Sequence, residues 1–396
     1  MARYFTPALL LYATALAFPA PAELVERQNT TCNVGSNYAA VNNAKLPDPF
    51  TFADGTKVST KADFTCRQQE ISKVFQQYEL GDFPLPPDKV EASMSGSTLN
   101  VKVTVGSQSV TISGAIKAPS TKPGPAIITI GGSSIPIPGT VGTVAFNNDN
   151  FASQASGSSR GQGAFYTLFG ASHSAGALTA WAWGVARVID GLEQLGSAET
   201  GIDTKRLGVT GCSRNGKGAF VVGALNDRIA LTLPQESGSG GAACWRISDS
   251  EHSKGKNIQT ASEIVGENVW FSTRFNAYTS QTNTIPEDHH LLAGLVAPRG
   301  LFVMENDIDW LGPVATTACM KAARLIYKAV GAPDAMGFDL TGGHSHCQFP
   351  SASQASLTGY INAYLLNSGS PPSNVEKSSA SVTMTDYVDW IPPTLS

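Results

Sequence analysis

The feature of this sequence that most constrains its fold is a long alternation of short apolar runs with amphipathic stretches, from about residue 125 to residue 366. Runs such as Ala126–Ile130 and Ile229–Pro234 are rich in apolar residues, which is typical of strands that are buried on both faces of a sheet. Between such runs, apolar residues recur at helical spacing, most clearly from Leu178 to Leu195. Strands that alternate with helices predict a parallel sheet with helices on both faces.

The same reasoning predicts the other elements. Further strands are expected at Gly142–Phe146, Arg206–Thr210, Gly300–Met304 and Met336–Leu340, and further helices at Asn215–Leu225, Ala315–Val330 and Ser353–Leu366. Earlier in the chain, a helix is expected near Asp63–Tyr78 and a hairpin at Thr98–Val105 and Ser109–Lys117, whereas Asn147–Gly163 is expected to be a polar loop. We interpret the whole as one domain, onto which Tyr387 and Trp390 dock the C-terminal tail.

The composition excludes several classes of protein. The 396 residues include 27 basic and 31 acidic side chains, a net charge of −4, and 42% of the residues are hydrophobic. An intrinsically disordered chain has fewer apolar residues and a larger net charge. A chain that binds nucleic acid through its phosphates carries an excess of basic residues. We therefore expect a globular protein that binds no nucleic acid. We also expect it to be a monomer.

The N-terminus predicts secretion. A positive charge is followed by an apolar stretch that is too short to span a membrane, and Ala15-Leu16-Ala17 forms a cleavage site. We expect a signal peptide at residues 1–17, a short propeptide up to about residue 27, a catalytic domain at 28–385 and a tail at 386–396. No later apolar run is long enough to cross a bilayer, so no membrane association is expected.

The cysteines also indicate an oxidising compartment. There are six of them, an even number that fits three disulfides, and none has the spacing of a zinc site. We expect neither a metal nor an organic cofactor. One glycosylation sequon begins at Asn29, just beyond the expected processing sites.

One serine stands where a predicted strand turns into a predicted helix. The strand Arg206–Thr210 runs into Gly211–Gly216, with the sequence GCSRNG, and the helix follows directly. Glycines allow a sharp turn, and the helix N-terminus offers free N–H groups to an oxyanion. This is the context of a nucleophile elbow, although the second glycine comes one residue later than in the G-x-S-x-G pattern. We therefore predict that Ser213 is a nucleophile.

A nucleophilic serine needs a histidine base, which hydrolases of this type carry after the last strand. Two histidines, His344 and His346, lie there in the sequence GGHSHC. If the base lies beside Ser213, the neighbouring cysteines Cys212 and Cys347 come close enough for a disulfide, whose Cα atoms lie about 4.4–6.8 Å apart. This pairing favours His346 as the base and leaves His344 a structural role.

The acid that orients the base has two candidate locations. Glu236 follows the predicted strand Ile229–Pro234, whereas three acids follow the strand that ends at Met304. The three are Glu305, Asp307 and Asp309. The later strand is the commoner position in this fold, and the spacing alone does not separate the two sets.

Two cations accompany the nucleophile. Arg214 is adjacent to Ser213, and Lys217 comes one helical turn later on the same face. Both could be exposed charges at the start of a helix. Alternatively, they bind an acidic or hydroxyl-rich substrate. A lipase that acts on neutral esters would gain little from two cations at this position.

Three motifs together resemble the glucuronoyl esterases of carbohydrate esterase family 15. They are the sequence GCSRNGKG around Ser213, the sequence QESG at residues 235–238, and the sequence HSHC at residues 344–347. The pattern Gly-Cys-Ser-Arg-x-Gly-Lys is specific to that family, and a secreted chain rich in disulfides matches its fungal members. The resemblance covers about residues 30–385.

The resemblance implies a fold and a set of roles. The fold is an α/β-hydrolase, a three-layer αβα sandwich around a mostly parallel sheet. Ser213 is implied as the nucleophile, His346 as the base, Glu236 as the acid and Arg214 as part of the oxyanion hole. Four further residues are implied to hold the uronate sugar: Lys217, Gln259, Glu267 and Trp310. The implied disulfides are Cys32–Cys66, Cys212–Cys347 and Cys244–Cys319.

The implied activity is that of a serine esterase. Its implied substrate is the ester between 4-O-methyl-glucuronic acid of glucuronoxylan and the alcohols of lignin, cleaved through an acyl-enzyme outside the cell. Two other functions compete with it. One is another esterase of the plant cell wall, acting on acetyl-xylan or feruloyl esters, and the other is a protein that binds uronoxylan without turnover.

Overall fold

A mostly parallel sheet organises residues 32–396, the part of the chain that this computed structural model describes. The expected signal peptide at 1–17, the propeptide up to about residue 27 and the sequon at Asn29 lie outside the described residues.

The strands of the sheet follow one another along the chain with long connections between most of them. They are β1 (Lys89–Ser95), β2 (Thr98–Val105), β3 (Gln108–Lys117), β4 (Gly124–Ile130), β5 (Gly142–Phe146), β6 (Ile202–Cys212), β7 (Ile229–Gln235), β8 (Gly300–Glu305), β9 (Met336–Leu340) and β10 (Glu376–Lys377). Their spatial order is β1-β2-β3-β5-β4-β6-β7-β8-β9-β10. The first three strands and the β3–β5 pair are antiparallel, and the remaining neighbours are parallel.

The helices vary widely in length. They are α1 (Lys61–Phe75), α2 (Asn148–Phe151), α3 (Ala164–Phe169), α4 (Ala177–Leu195), α5 (Ser197–Thr200), α6 (Arg214–Leu225), α7 (Trp245–Ser253), α8 (Ala261–Glu267), α9 (His289–Val296), α10 (Pro313–Ala329) and α11 (Gln354–Tyr364). A π-helical turn at Gln76–Leu80 extends α1. None of the helices in the described part of the chain is both long and apolar enough to cross a membrane.

The two faces of the sheet carry separate cores. Neighbouring residues of a buried strand point to opposite faces, so Ile128 of β4 belongs to one core and Ile127 to the other. The larger core contains Trp181 of α4 and Phe220 of α6, and the smaller core contains Tyr360 of α11. Helices therefore cover both faces, which confirms the predicted arrangement of three layers around a mostly parallel sheet.

Most predicted elements lie where the sequence placed them, and β5 and β9 have the predicted bounds. The segment from 147 to 163 differs in part, because it contains α2 and three buried polar residues, Asn148, Gln154 and Ser159. Asn148 is 1% exposed and Gln154 is 5% exposed, so this stretch places polar side chains in the interior, although many of its other residues are exposed.

The C-terminal tail packs against the N-terminal part of the described chain. The indole of Trp390 is 8% exposed, donates a hydrogen bond to Leu46 O at 3.0 Å and meets the ring of Phe50 edge-on at 5.9 Å. The next residue, Ile391, is 87% exposed. The tail therefore contributes an apolar anchor to the folded unit.

Disulfides tie distant parts of the chain together. Cys32–Cys66, Cys212–Cys347 and Cys244–Cys319 join residues that lie 34, 135 and 75 positions apart. The pairs are those that the family resemblance implies.

The packing of the tail predicts a contrast between two adjacent residues. Trp390→Ala removes a buried ring and should lower the free energy of unfolding by about 3 kcal/mol or more. Ile391→Ala removes an exposed side chain and should change it by less than about 0.5 kcal/mol. Denaturant titration of both variants measures the difference, and equal effects would contradict the docking of the tail.

Candidate active site

Ser213 occupies a strained turn between β6 and α6. Its φ of 59° and ψ of −127° are rare for a residue that carries a side chain. The Ser213 N–H donates to Gln235 O at 2.9 Å, which ties the turn to the neighbouring strand β7. The strand–turn–helix that the sequence predicts is therefore present, and it holds a half-exposed serine at the carboxyl edge of the sheet.

The late second glycine of the elbow has a structural explanation. Gly216 packs against β7 so closely that a Cβ there would lie 2.4 Å from Gln235 O. Asn215 takes the place where the G-x-S-x-G pattern has its glycine, and its side chain fills the space beside Gly131 of the loop after β4. A Cβ on Gly131 would lie 2.0 Å from Asn215 Nδ2. The elbow therefore has asparagine where the pattern has glycine, and the space for this side chain is provided by Gly131, directly after the end of the neighbouring strand.

The side chain of Asn215 is fixed by polar partners. Its Oδ1 accepts from Asn148 Nδ2 at 3.1 Å and from Gln154 Nε2 at 3.2 Å. Both partners are buried residues of the segment after β5, so the first turn of α6 is attached to a neighbouring segment. The backbone N–H groups of that turn have no acceptor within the helix and face the carboxyl edge of the sheet, where they can stabilise an oxyanion.

Among the candidate acids, Glu236 is the one that contacts His346. Its Oε2 lies 2.7 Å from His346 Nδ1 and accepts from the Cys347 N–H at 2.9 Å. The Asn306 amide approaches the same oxygen at 3.3 Å. Because a carboxylate only accepts, Nδ1 carries the proton and Nε2 is left as the basic nitrogen. Glu236 is 1% exposed, so this hydrogen bond is shielded from water.

The two histidines of the loop after β9 have different surroundings. The side chain of His346 is 30% exposed, and the ring of Trp310 meets it edge-on at 4.8 Å. His344 is 8% exposed, with Nε2 lying 2.6 Å from Thr341 O and Nδ1 lying 3.2 Å from Asn306 Nδ2. Both nitrogens of His344 are therefore occupied by structural hydrogen bonds.

The acids after β8 have other partners. Glu305 Oε1 accepts from the N–H and the hydroxyl of Ser237, each at 2.7 Å. Burial raises the pKa of Glu305 to about 7, the Ser237 hydrogen bonds oppose this, and the nearby Glu236 charge adds to it. Asp307 accepts from the Gly343 N–H at 3.2 Å and is exposed. Asp309 is exposed as well.

The two cations beside the nucleophile differ in exposure. Arg214 is exposed, whereas Lys217 is only 4% exposed and its ammonium donates to Ser237 O. Burial lowers the pKa of Lys217 to about 8, the charges of Glu305 and Glu267 oppose this, and Arg214 adds to it. Lys217 is therefore not a solvated charge at a helix start, which was one of its two interpretations.

Three residues that the resemblance assigns to sugar binding are linked by hydrogen bonds, and one of them, Trp310, lies beside His346. Gln259 Nε2 donates to Glu267 Oε2 at 3.2 Å, and the Gln259 N–H donates to Trp310 O at 3.2 Å. Gln259 and Trp310 are half-buried, and Glu267 is exposed at the end of α8. Together they form a linked set of amide, carboxylate and aromatic groups.

One group of possible metal ligands occurs within residues 32–396. Ligand atoms of Cys212, His346 and Cys347 lie within 4.8 Å of one another. The two sulfur atoms are joined in a disulfide, and a metal binds the thiolate form of cysteine. This group therefore does not form a zinc site.

Several residues of the site were missed in the predictions from the sequence. Asn215, Gln154 and Asn306 were not predicted, and neither was Trp270, whose ring faces both cations. Asn306 follows a buried strand, which could have marked it. Gln154 and Trp270 lie in irregular segments, so only the tertiary fold shows that they contribute.

Comparison with known proteins identifies the family of this chain. Residues 101–331 match the family model for fungal glucuronyl esterases. The chain is 65% identical over 396 residues to the 4-O-methyl-glucuronoyl methylesterase of Neurospora crassa, covering 99% of this chain and 100% of that protein.

Solved structures are similar as well. One is a serine-to-alanine mutant of the glucuronoyl esterase from Sporotrichum thermophile in complex with methyl 4-O-methyl-β-D-glucopyranuronate. It has a TM-score of 0.91 and 62% identity, over 92% of this chain and 100% of that one. Another is the glucuronoyl esterase catalytic domain from Hypocrea jecorina, with a TM-score of 0.89 and 52% identity over 92% and 100%.

The buried carboxyl of Glu305 predicts a pH-dependent difference in stability. Its folded pKa of about 7 lies above the ordinary 4.5, so the folded protein keeps a proton that the unfolded chain releases. The wild type should therefore lose stability as the pH rises from about 4.5 through 7. Glu305→Gln cannot ionise, and its amide oxygen can accept the same hydrogen bonds.

We compare the free energy of unfolding of E305Q with that of the wild type at each pH. The difference, E305Q minus wild type, should increase by about 3 kcal/mol from pH 4.5 to pH 8. Denaturant titration at several pH values measures this increase. Glu199→Gln, at an exposed position of α5, serves as the control and should show no such trend. A constant difference between E305Q and the wild type would contradict the account.

Proposed function

This chain belongs to the fungal glucuronoyl esterases and is a carboxylic ester hydrolase, and we propose on that basis that it cleaves alkyl and aryl-alkyl esters of 4-O-methyl-glucuronic acid. The observation that carries the proposal is the contact between Glu236 and His346 Nδ1 at 2.7 Å, next to a disulfide that joins Cys347 to the neighbour of Ser213. The natural ester is then the one that links glucuronoxylan to lignin alcohols, and the chain acts as a secreted monomer.

In the first half of the reaction, Ser213 Oγ attacks the ester carbonyl while His346 Nε2 takes its proton. A bond forms between Oγ and the carbonyl carbon, and the carbonyl electron pair moves onto oxygen. The N–H groups at the start of α6 and the guanidinium of Arg214 stabilise that oxyanion. Glu236 stabilises the imidazolium that forms, because its buried carboxylate accepts from Nδ1.

In the second half, the tetrahedral species collapses. The bond to the alcohol oxygen breaks, and His346 returns its proton to the leaving alcohol. A water molecule then attacks the acyl-enzyme as His346 takes a proton from it, and Ser213 regains its hydrogen when the uronic acid leaves. Besides the ester and the water molecule, each step uses only groups of this chain, so the proposal includes no cofactor.

The sugar is the acyl part of this ester, so specificity should lie with the uronate. We propose that the ammonium of Lys217, fixed by Ser237 O, donates to hydroxyl and ether oxygens of the ring. Gln259 and Glu267 form a hydrogen-bonded pair that can bind further hydroxyl groups. Trp310 offers an aromatic surface beside His346 on which a sugar face can pack.

The proposed nucleophile and acid predict large losses of turnover. Ser213→Ala should lower kcat by about 10⁴-fold or more, and Glu236→Gln by roughly 10²–10⁴-fold, because the amide no longer fixes the tautomer of His346. Steady-state hydrolysis of a methyl glucuronate ester measures both. Circular dichroism should show unchanged folding, and retained turnover in S213A would refute the assignment.

The proposed sugar site predicts selection for the uronate. The wild type should hydrolyse benzyl glucuronate in preference to benzyl galacturonate, p-nitrophenyl acetate and methyl ferulate. Lys217→Met should lower kcat/KM for the glucuronate by about tenfold or more, through the loss of charged hydrogen bonds, and should affect the acetate less.

Lys205→Met, at an exposed position of β6, is the matched control and should leave all four rates unchanged. Faster turnover of the acetate or the ferulate by the wild type would favour the other esterases of the plant cell wall. Binding of uronoxylan without any turnover would favour a protein that only binds it.

A further inference from the structure

Trp270 presents its ring to both cations of the site. The Arg214 Cζ atom lies 5.7 Å from the ring centroid, and the Lys217 Nζ atom lies 5.9 Å from it. Both distances are within the range in which a cation is attracted to the negative face of an aromatic ring. Trp270 is 2% exposed and Lys217 is 4% exposed, so the attraction between these two is shielded from water, whereas Arg214 reaches the ring from an exposed position.

The plane of this ring is fixed by one buried side chain. Trp270 Nε1 donates to Gln154 Oε1 at 2.7 Å. The amide nitrogen of Gln154 in turn lies 3.2 Å from Asn215 Oδ1 and 2.8 Å from Asp149 Oδ1. The indole is thus connected, through Gln154, to the residue that follows Arg214 in the first turn of α6.

The backbone around Trp270 is held as well. Trp270 O accepts from the Leu178 N–H at 3.1 Å, at the start of α4. Asn268 Nδ2, two residues earlier, donates to Gln154 O at 2.8 Å. Gly176 approaches so closely that a Cβ there would lie 2.2 Å from Trp270 O. The ring is therefore a rigid part of the site rather than a mobile cover.

The Trp270 ring offsets an unfavourable electrostatic interaction in the site. Arg214 and Lys217 lie one helical turn apart and repel each other, and Lys217 has lost most of its hydration. The aromatic ring attracts both cations and adds no hydrogen-bond acceptor that would compete with substrate. It therefore lowers the cost of holding two positive charges next to the nucleophile.

We propose that Trp270 is a positioning residue for ester hydrolysis, whose indole face holds Arg214 at the oxyanion and Lys217 at the sugar while Gln154 fixes its plane. The inference rests on the proposed function, because it gives a role to cations that the proposed mechanism uses.

The charge of Lys217 provides a readout that a purely structural tryptophan would not move. The charged groups that act on its ammonium are Glu305, Glu267 and Arg214. Its pKa is about 8, so it loses its charge on the alkaline side of neutrality. Removing the aromatic face removes an attraction for the charged form and should lower this pKa further. The alkaline limb of kcat/KM should then move to lower pH.

The test compares two tryptophans that each face a cation. Trp270→Leu should lower kcat/KM for methyl glucuronate by about tenfold and move its alkaline limb down by about half a pH unit or more. Trp270→Phe keeps a weaker ring and should lie between W270L and the wild type. Trp183 of α4 is the matched control. It is fully buried, and the Arg187 Cζ atom lies 4.8 Å from its ring centroid.

Trp183→Leu and Trp183→Phe should lower the melting temperature without moving the alkaline limb. Gln154→Met keeps the Trp270 ring but removes the hydrogen bond that fixes its plane. It should therefore lower kcat and move the alkaline limb of kcat/KM less than W270L does. If the Trp270 variants change only the melting temperature, as the Trp183 variants do, the inference is wrong. If the wild type does not hydrolyse the glucuronate ester in preference to p-nitrophenyl acetate and methyl ferulate, the proposed function is wrong instead.

Discussion

The disulfide between Cys212 and Cys347 is the constraint on which the site depends. β6 and β9 are separated in the sheet by β7 and β8, which corresponds to about 14 Å at the usual spacing of strands. The Cα atoms of the two cysteines are nevertheless only 5.8 Å apart. The loop after β9 must therefore fold back over the ends of the two intervening strands, and the covalent bond holds it there.

The residues at those two strand ends complete the arrangement. Glu236 after β7 and Asn306 after β8 both form hydrogen bonds with the returning loop, to Cys347 and His344. The loop itself has no helix or strand between residues 341 and 350. Its shape is thus set by one disulfide and a few buried polar contacts, which explains why His346 can be both well oriented and partly exposed.

The site also depends on two buried ionisable side chains, those of Glu305 and Lys217. Ser237 stands between Glu305, which accepts from its N–H and hydroxyl, and Lys217, which donates to its carbonyl. This peptide follows Glu236 directly, so the position of the acid is linked to a carboxyl and an ammonium that are both buried. Buried charges persist only with such partners. The polar interior beside the sheet edge is therefore one connected network.

The sequence was most informative where local pattern and chemistry coincide. Buried strands, the turn at Ser213 and the cysteines beside Ser213 and His346 each leave a local signal. Strand positions alone left the acid open, because Glu236 and Glu305 both follow strands. The family resemblance favoured Glu236, and the contacts in the fold distinguish the two residues.

The rest could not be predicted for a physical reason. Helices α7, α8 and α9 are at most nine residues long, which is too short for a clear periodic pattern. β1 and β10 lie at the edges of the sheet, where one face is exposed and apolar residues are few. Gln154 and Trp270 acquire their contacts with Asn215 and the cations only when distant segments meet.

The central claim is that Ser213 is the nucleophile, and covalent labelling tests it most directly. An aryl or alkyl fluorophosphonate reacts with an activated serine, so the inactivated protein can be digested and mapped by mass spectrometry. The account predicts one phosphonyl group, on the peptide that contains Ser213, with labelling in proportion to the loss of activity. Complete inactivation with the label on another residue, or full labelling of Ser213 with activity retained, would contradict it.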